Sequence, residues 1–188
     1  MKKCALARIL VMVLLIFTIS NFAYSTVEVF SNYDTLLTVN TEENVIEINK
    51  TLVLKNVYDV GIVPGQIEFK IAKGIDGSID NLQVLNVSAS DKFNQDIKVR
   101  VRNTDEFSVI VLDIFYPLLP GFEYEFYLNY KLSYEPSGIF FKSLQIPLRE
   151  STIPIEKGEF KVVLPKNYHF TYLGEDKDSI TIQDNSAT

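Results

Sequence analysis

Phe122-Glu-Tyr-Glu-Phe-Tyr-Leu-Asn-Tyr-Lys-Leu-Ser-Tyr134 reads as one strand with two unlike faces. Its even positions, Phe122, Tyr124, Phe126, Leu128, Tyr130, Leu132 and Tyr134, are all apolar or aromatic. Its odd positions, Glu123, Glu125, Tyr127, Asn129, Lys131 and Ser133, are mostly polar. Successive strand side chains leave the backbone in opposite directions, so one face is dry and the other wet. A sheet covered on one side needs that pattern. Strands typically run ~17–20 Å, whereas this stretch spans ~43 Å at ~3.3 Å per residue. A bulge or bend near Leu128-Asn129, or a continuation past the sheet, is therefore expected.

The same alternation recurs outward from this stretch. In residues 45–56, Ile46, Ile48, Leu52 and Leu54 share one face, and Glu47, Asn49, Thr51 and Lys55 the other. Ile67, Phe69 and Ile71 form a further buried face, as do Leu85, Val87 and Ala89, and then Ile97, Val99 and Val101 between Lys98, Arg100 and Arg102. Residues 107–116 are almost continuously apolar, which predicts a central strand covered on both sides. Further strands are expected at 27–30, 35–40, 139–146 and 159–164, with a last hairpin from 168–173 and 179–182. Turn signals separate them: Thr41-Glu-Glu-Asn44, Pro64-Gly65, which suits a type II turn, Asp76-Gly77 and Pro120-Gly121. Helical periodicity is missing, and no short repeat marks a propeller or solenoid. The expected fold is all-β, a two-sheet antiparallel β-sandwich of roughly ten strands. It should occupy residues 26–188, after an N-terminal signal segment at 1–25.

That segment has its own logic. Lys2, Lys3 and Arg8 precede Ile9-Leu-Val-Met-Val-Leu-Leu-Ile-Phe-Thr-Ile19, an apolar run of signal-core length. Ala23-Tyr24-Ser25 then offers small residues where a signal peptidase reads, so cleavage after Ser25 is expected. The alternative is an uncleaved N-terminal membrane anchor, although a span normally needs about 20 apolar residues. Either reading places the rest of the chain outside the cytoplasm, secreted or attached to a membrane through its N-terminus. Cys4, the single cysteine, lies inside this segment, so the exported part has no thiol for a disulfide or a thiolate zinc site.

Composition narrows the function. At 188 residues, 47% hydrophobic and 22% charged, the chain can bury a sizeable core. Lys2, Lys3 and Arg8 are three of its 18 basic residues; without them 15 face 24 acidic ones, and the net charge moves from −6 to −9. Such an acidic domain lacks the basic footprint that nucleic acid requires.

Candidate chemistry is sparse. His169 is the only histidine and stands in no hydrolase or zinc motif. Glu123 and Glu125 could pair as glycosidase carboxylates, about 7 Å apart along one strand face. Their place on a wet face favours solvated charges instead. Asp113, inside an apolar run, must either be paired or sit on an exposed face or edge. Asp76-Gly-Ser-Ile-Asp80 and Asp176-Lys-Asp178 resemble pieces of calcium loops, but Asn81 and Val87 stand where a glycine and an acidic ligand belong, and plain turns read better. Asn49-Lys-Thr51 and Asn86-Val-Ser88 fit the N-glycosylation acceptor pattern on outward strand faces. Tyr124, Tyr130 and Tyr134 share the dry parity, with hydroxyls expected to reach the rim. Tyr127, on the polar face with Glu123 and Glu125, is the ring expected at a contact surface. No catalytic, cofactor or metal residues are assigned.

The sequence also resembles a family. Val-Ile-Glu-Ile-Asn-Lys-Thr-Leu-Val-Leu-Lys-Asn at 45–56, Leu-Pro-Gly-Phe-Glu-Tyr-Glu-Phe-Tyr-Leu-Asn-Tyr at 119–130 and Ile-Pro-Ile-Glu-Lys-Gly-Glu-Phe-Lys-Val-Val-Leu-Pro at 153–165 are similar to extracytoplasmic β-sandwich domains of archaeal exported and membrane-anchored proteins. A more distant similarity is to the lumenal part of ribophorin I. Some members of the first group carry a C-terminal membrane helix and a cytoplasmic winged-helix domain, and the resemblance implies no catalytic residues. The expected function is a non-enzymatic extracytoplasmic module with a protein or glycan partner. The alternatives are the sensor ectodomain of a longer or partnered membrane protein, and a secreted carbohydrate-binding or carbohydrate-active protein.

Overall fold

A computed structural model describes residues 27–73, 82–135, 151–166, 168, 182–183 and 186–187. They form two sheets and no helix. Eight strands have four residues or more: β1 (Glu28–Asn40), β2 (Val45–Asn56), β3 (Gly65–Ala72), β4 (Gln83–Asp91), β5 (Val99–Asn103), β6 (Phe107–Ile114), β7 (Glu123–Ser133) and β8 (Phe160–Val163). Two short ones, β9 (Ile182–Gln183) and β10 (Ser186–Ala187), have two residues each. Among the described residues eight strands of four residues or more are thus found, and the expected count of roughly ten is not confirmed. The strand expected at 139–146 and most of the last hairpin lie outside the described residues.

The larger sheet has the order β4-β7-β2-β1-β8, continued by β10 and β9; the smaller is β3-β6-β5. The sheets face each other over one core. Phe30, Phe126, Leu128 and Leu132 from the large sheet meet Ile67, Phe69, Ile110 and Leu112 from the small one. The Phe30 and Phe69 rings, 6.3 Å apart, join the two layers directly.

β7 lies inside the large sheet, between β4 and β2. Phe126, Leu128, Tyr130, Leu132 and Tyr134 are buried, as the alternation demands. Phe122 departs from it and is 62% exposed. The strand starts one residue later, because Leu119-Pro-Gly-Phe122 closes a turn in which the Phe122 amide donates to Leu119 O at 3.0 Å and Gly121 has φ 74°. Pro at the second and Gly at the third position suit a type II turn. Gly65, after Pro64, likewise has φ 77°.

The bulge expected within β7 is instead on its neighbour. β7 pairs with β2 without a slip from Val45↔Ser133 to Lys55↔Glu123. On the other side Leu85 pairs with Lys131 and Ser88 with Asn129, so Asn86 and Val87 oppose Tyr130 alone. Two residues against one is a β-bulge, and Asn86 takes φ 50° to make it. The slip also explains why Leu85, expected inward, is 40% exposed.

A second bulge corrects another expectation. The segments 27–30 and 35–40 are one strand, β1, in which Ser31 is the extra residue between Phe30↔Leu54 and Asn32↔Val53. The bulge changes the parity, so Phe30 and then Tyr33, Thr35, Leu37 and Val39 all point inward. The large sheet is also mixed rather than antiparallel. β8 lies parallel to β1, from Thr35↔Phe160 to Thr38↔Val163. Ahead of β8, residues 154–159 follow β1: the Phe30 amide donates to Pro154 O at 2.8 Å and the Thr35 amide to Glu159 O at 2.7 Å. The fit is tight at Gly158, where an added Cβ would stand 2.7 Å from Tyr33 O. Gly158→Ala must push this segment off β1, which should cost about 1–3 kcal/mol. A urea midpoint unchanged by that substitution would show that the segment yields freely.

β6, between β3 and β5, is buried on both faces as expected. Ile110, Leu112 and Ile114 face the core. Val109 and Val111 face outward yet are buried, each flanked by charged side chains: Lys70 and Arg102 beside Val109, Glu68 and Arg100 beside Val111. Their aliphatic stems roof the valines while Arg102 and Glu68 pair above them. Val101, expected to be covered, is 38% exposed because β5 is an edge strand.

Candidate functional site

The end of the sandwich where β2, β4 and β6 finish and β3 and β7 begin is assembled by one residue. Asn56, last in β2, keeps the inward parity and is fully buried. Its Nδ2 donates to Val60 O at 2.8 Å and Leu118 O at 2.9 Å, and its Oδ1 accepts from the Tyr58 amide at 2.8 Å. Its backbone carries on the same work, donating to Phe122 O at 3.2 Å and accepting from Gly121 N at 2.9 Å. Two loops, 57–64 and 115–122, are thereby tied to each other and to the sheet. Ile62 and Leu118 pair across them.

Beside these loops opens a cleft of about 480 Å³. Its lining comes from separate stretches: the end of β4 with the following loop (Asp91, Gln95, Asp96, Ile97, Lys98), the end of β6 (Asp113 to Tyr116) and Tyr124 of β7. Clefts of this size suit small ligands. Tyr116, 58% exposed, stacks on half-buried Tyr124 with ring centroids 5.2 Å apart and planes at 20°. Tyr124 in turn stacks on buried Phe126 at 5.9 Å, so the exposed ring is propped from the core. Burial above all, then the nearby Asp91 and Tyr116, pushes the Tyr124 phenol above its ordinary range, and it stays a neutral donor.

Two of the three cleft carboxylates already hold structure together. Asp91 Oδ1 accepts from the amides of Phe93 at 2.8 Å and Gln95 at 2.9 Å, closing the turn after β4. Asp113 is bound by Arg100 at 2.5 Å and Gln66 at 3.1 Å, with Lys98 at 3.9 Å. It is the paired carboxylate on the outer face of β6 that an aspartate in an apolar run requires. Asp96 and Gln95 are both exposed in the cleft lining. Among the described residues, no group of three or more His, Cys, Asp or Glu is placed to hold a metal. Among them, too, no helix is long and apolar enough to cross a membrane.

Of the residues singled out in the sequence, Asp113 and Tyr124 line the cleft, while the expected contact surface and the acceptor asparagines lie elsewhere. Tyr127 and Glu125 do come together, the phenol donating to Glu125 Oε1 at 2.9 Å on the outer face of β7. That bond, chiefly, holds the Tyr127 phenol above its usual range. Glu123 is exposed on the same face, and none of the three lines the cleft. Asn49 is exposed on the outer face of β2. Asn86 is exposed too, but on the β4 bulge rather than on a regular strand face. Tyr130 and Tyr134 are buried as their parity requires. His169, Asp76, Asp80, Asp176 and Asp178 lie outside the described residues.

Sequence reading also passed over Lys50. It stands in the dry parity of β2 and is 2% exposed. Its amine donates to Tyr33 Oη at 3.2 Å and Thr35 Oγ1 at 3.3 Å, and lies 4.7 Å from the Tyr33 ring centroid. Strict period-2 counting through 46, 48, 50, 52 and 54 was the available signal.

No protein-family model matches this chain, and no curated protein does either. Solved structures do. A Legionella pneumophila protein assigned to nutrient binding superposes with TM-score 0.57 at 8% identity, over 86% of this chain and 61% of its own. This is a likeness of fold. The M1 zinc metallopeptidase of Deinococcus radiodurans matches with TM-score 0.43 at 16% identity, over 85% of this chain and 37% of its own. Yeast LTA4 hydrolase bound to bestatin matches with TM-score 0.48 at 11% identity, over 88% and 26%. The chain thus spans under two fifths of the length of the metallopeptidase it matches.

Proposed function

We propose that this chain is an exported, non-catalytic β-sandwich module that binds a polar ring ligand, a glycan, in the cleft beside Tyr116. The observation that carries the reading is the exposed Tyr116 ring, stacked on Tyr124 and propped by Phe126 at the mouth of an open cleft. An exposed, pre-positioned ring offers a flat apolar face at little entropic cost. Gln95, Asp96 and Lys98 supply hydrogen-bonding groups around it. Binding is favoured over catalysis because Asp91 and Asp113 are committed to structural bonds, which leaves one carboxylate where glycoside hydrolysis uses two. The export-type N-terminus and the resemblance to archaeal extracytoplasmic domains support the location. The sensor-ectodomain reading keeps the same cleft as its input and differs only in what the chain is joined to.

A glycan array followed by titration calorimetry tests this. Tyr116→Ala should weaken binding about tenfold, the loss of one stacked ring. Asp96→Asn should weaken it less, and Glu123→Gln, Glu125→Gln and Tyr127→Ala should leave it unchanged. Binding lost in Tyr127→Ala but kept in Tyr116→Ala would move the site to the outer face of β7. Hydrolysis of a bound glycan would end the non-catalytic reading.

A further inference from the structure

We infer that the tips of the two Asn56-tied loops form a membrane-contacting surface, which rests on the outer leaflet beside the N-terminal apolar segment. Most exposed large apolar side chains of the described residues gather at this end of the sandwich. Val57, Tyr58, Val60, Val63, Leu119 and Phe122 are between 43% and 62% exposed. They are contiguous through the backbone: Asn56 grips Val60 O and Leu118 O, Ile62 pairs with Leu118, and Gly121 and Phe122 bond to Asn56. A water-soluble surface rarely gathers apolar side chains in this way without an occupant.

The occupant follows from where the chain enters. β1 begins at this end, with Val27, 41% exposed, accepting at its carbonyl from the Val57 amide at 3.2 Å. The apolar run ending at Ile19 stands eight positions before Val27. Even fully extended, so short a connection reaches less than about 30 Å. An N-terminal segment held in a bilayer therefore keeps this end of the sandwich, and not the opposite one, close to the lipid. The inference rests on that segment staying on the chain as an anchor. The contact must be apolar in origin, because the domain is acidic and gains nothing from anionic headgroups. Loops carrying Phe, Tyr, Leu and Val suit the boundary between headgroups and acyl chains.

The absence of tryptophan from the sequence makes the test direct. Full-length chain carrying Phe122→Trp at the tips, or Phe107→Trp at the other end of β6, is reconstituted in phosphatidylcholine vesicles with and without acyl-chain bromine. Phe122→Trp emission should fall about twofold with bromine while Phe107→Trp emission holds, and the difference should survive high salt. Adding Leu119→Glu, at an exposed position, should remove the quenching with the fold intact by circular dichroism. Vesicle-bound chain with equal emission at both positions overturns the inference and leaves the anchor standing. Failure of the full-length chain to associate with vesicles overturns both. A stable dimer that shields Phe122→Trp from brominated lipid would give the surface to a second copy instead.

Discussion

Replacing Phe126 by alanine should destabilise the fold by about 3–5 kcal/mol, the usual cost of emptying a buried phenylalanine site. The position is fully buried in β7, which is itself held between β2 and β4. Its ring lies 6.3 Å from Phe30 and 5.9 Å from Tyr124. A cavity there strips support from the core on one side and from the cleft on the other. Domains of this kind hold only about 5–15 kcal/mol in total, so the variant should unfold at a much lower guanidinium concentration. The near-ultraviolet signal of the tyrosines should weaken as Tyr116 and Tyr124 lose their backing. Phe126→Leu, which keeps most of the volume, should recover most of the loss. A change below about 1 kcal/mol for alanine would mean that the two sheets collapse around the gap, contrary to close packing.

Asn56→Ala should cost about 2–4 kcal/mol and act on the loops more than on the sheets. Two carbonyls, Val60 O and Leu118 O, lose a donor, and the Tyr58 amide loses its acceptor. A buried polar group left without a partner costs about 1–3 kcal/mol, and neighbouring losses of this kind do not simply add. Amide hydrogen exchange should rise in residues 57–64 and 115–122 while β2 and β7 stay protected. Asn56→Asp should be worse, because it keeps the acceptor for Tyr58 but sets a carboxylate against two carbonyl oxygens. Uniform exchange across the whole domain would mean that Asn56 holds the sheet rather than the loops.

These two residues show how far the sequence could be read. Phe126 was legible because β7 is dry on one face and wet on the other, so alternation alone assigns it. Asn56 obeys the same alternation, yet its polarity argues against burial, and only the two loops that converge on it explain the choice. Lys50 hid for the same reason. The bulges at Ser31 and at Asn86-Val87 were illegible because each is a single inserted position whose only local trace is a change of parity. The cleft was harder still. Its walls come from residues 91–98, 113–116 and 124, which meet only after β4, β6 and β7 have been assigned to two different sheets. Phe115 and Tyr116 looked like the end of a buried strand because the chain gives no sign that β6 stops at Ile114.

The parallel pairing of β1 with β8 has a consequence in time. Thr35 waits for Phe160, more than a hundred residues downstream, before the far edge of β1 is closed. Contacts so distant in sequence form late, since the intervening chain must first surrender its freedom. Until residue 160 is available, β1 keeps an open row of amides and carbonyls, and the hairpin it makes with β2 is a template for stray pairing. The first strand cannot be sealed into the native sheet until residue 160 has been made, so the large sheet stays unfinished while more than a hundred residues are added after β1.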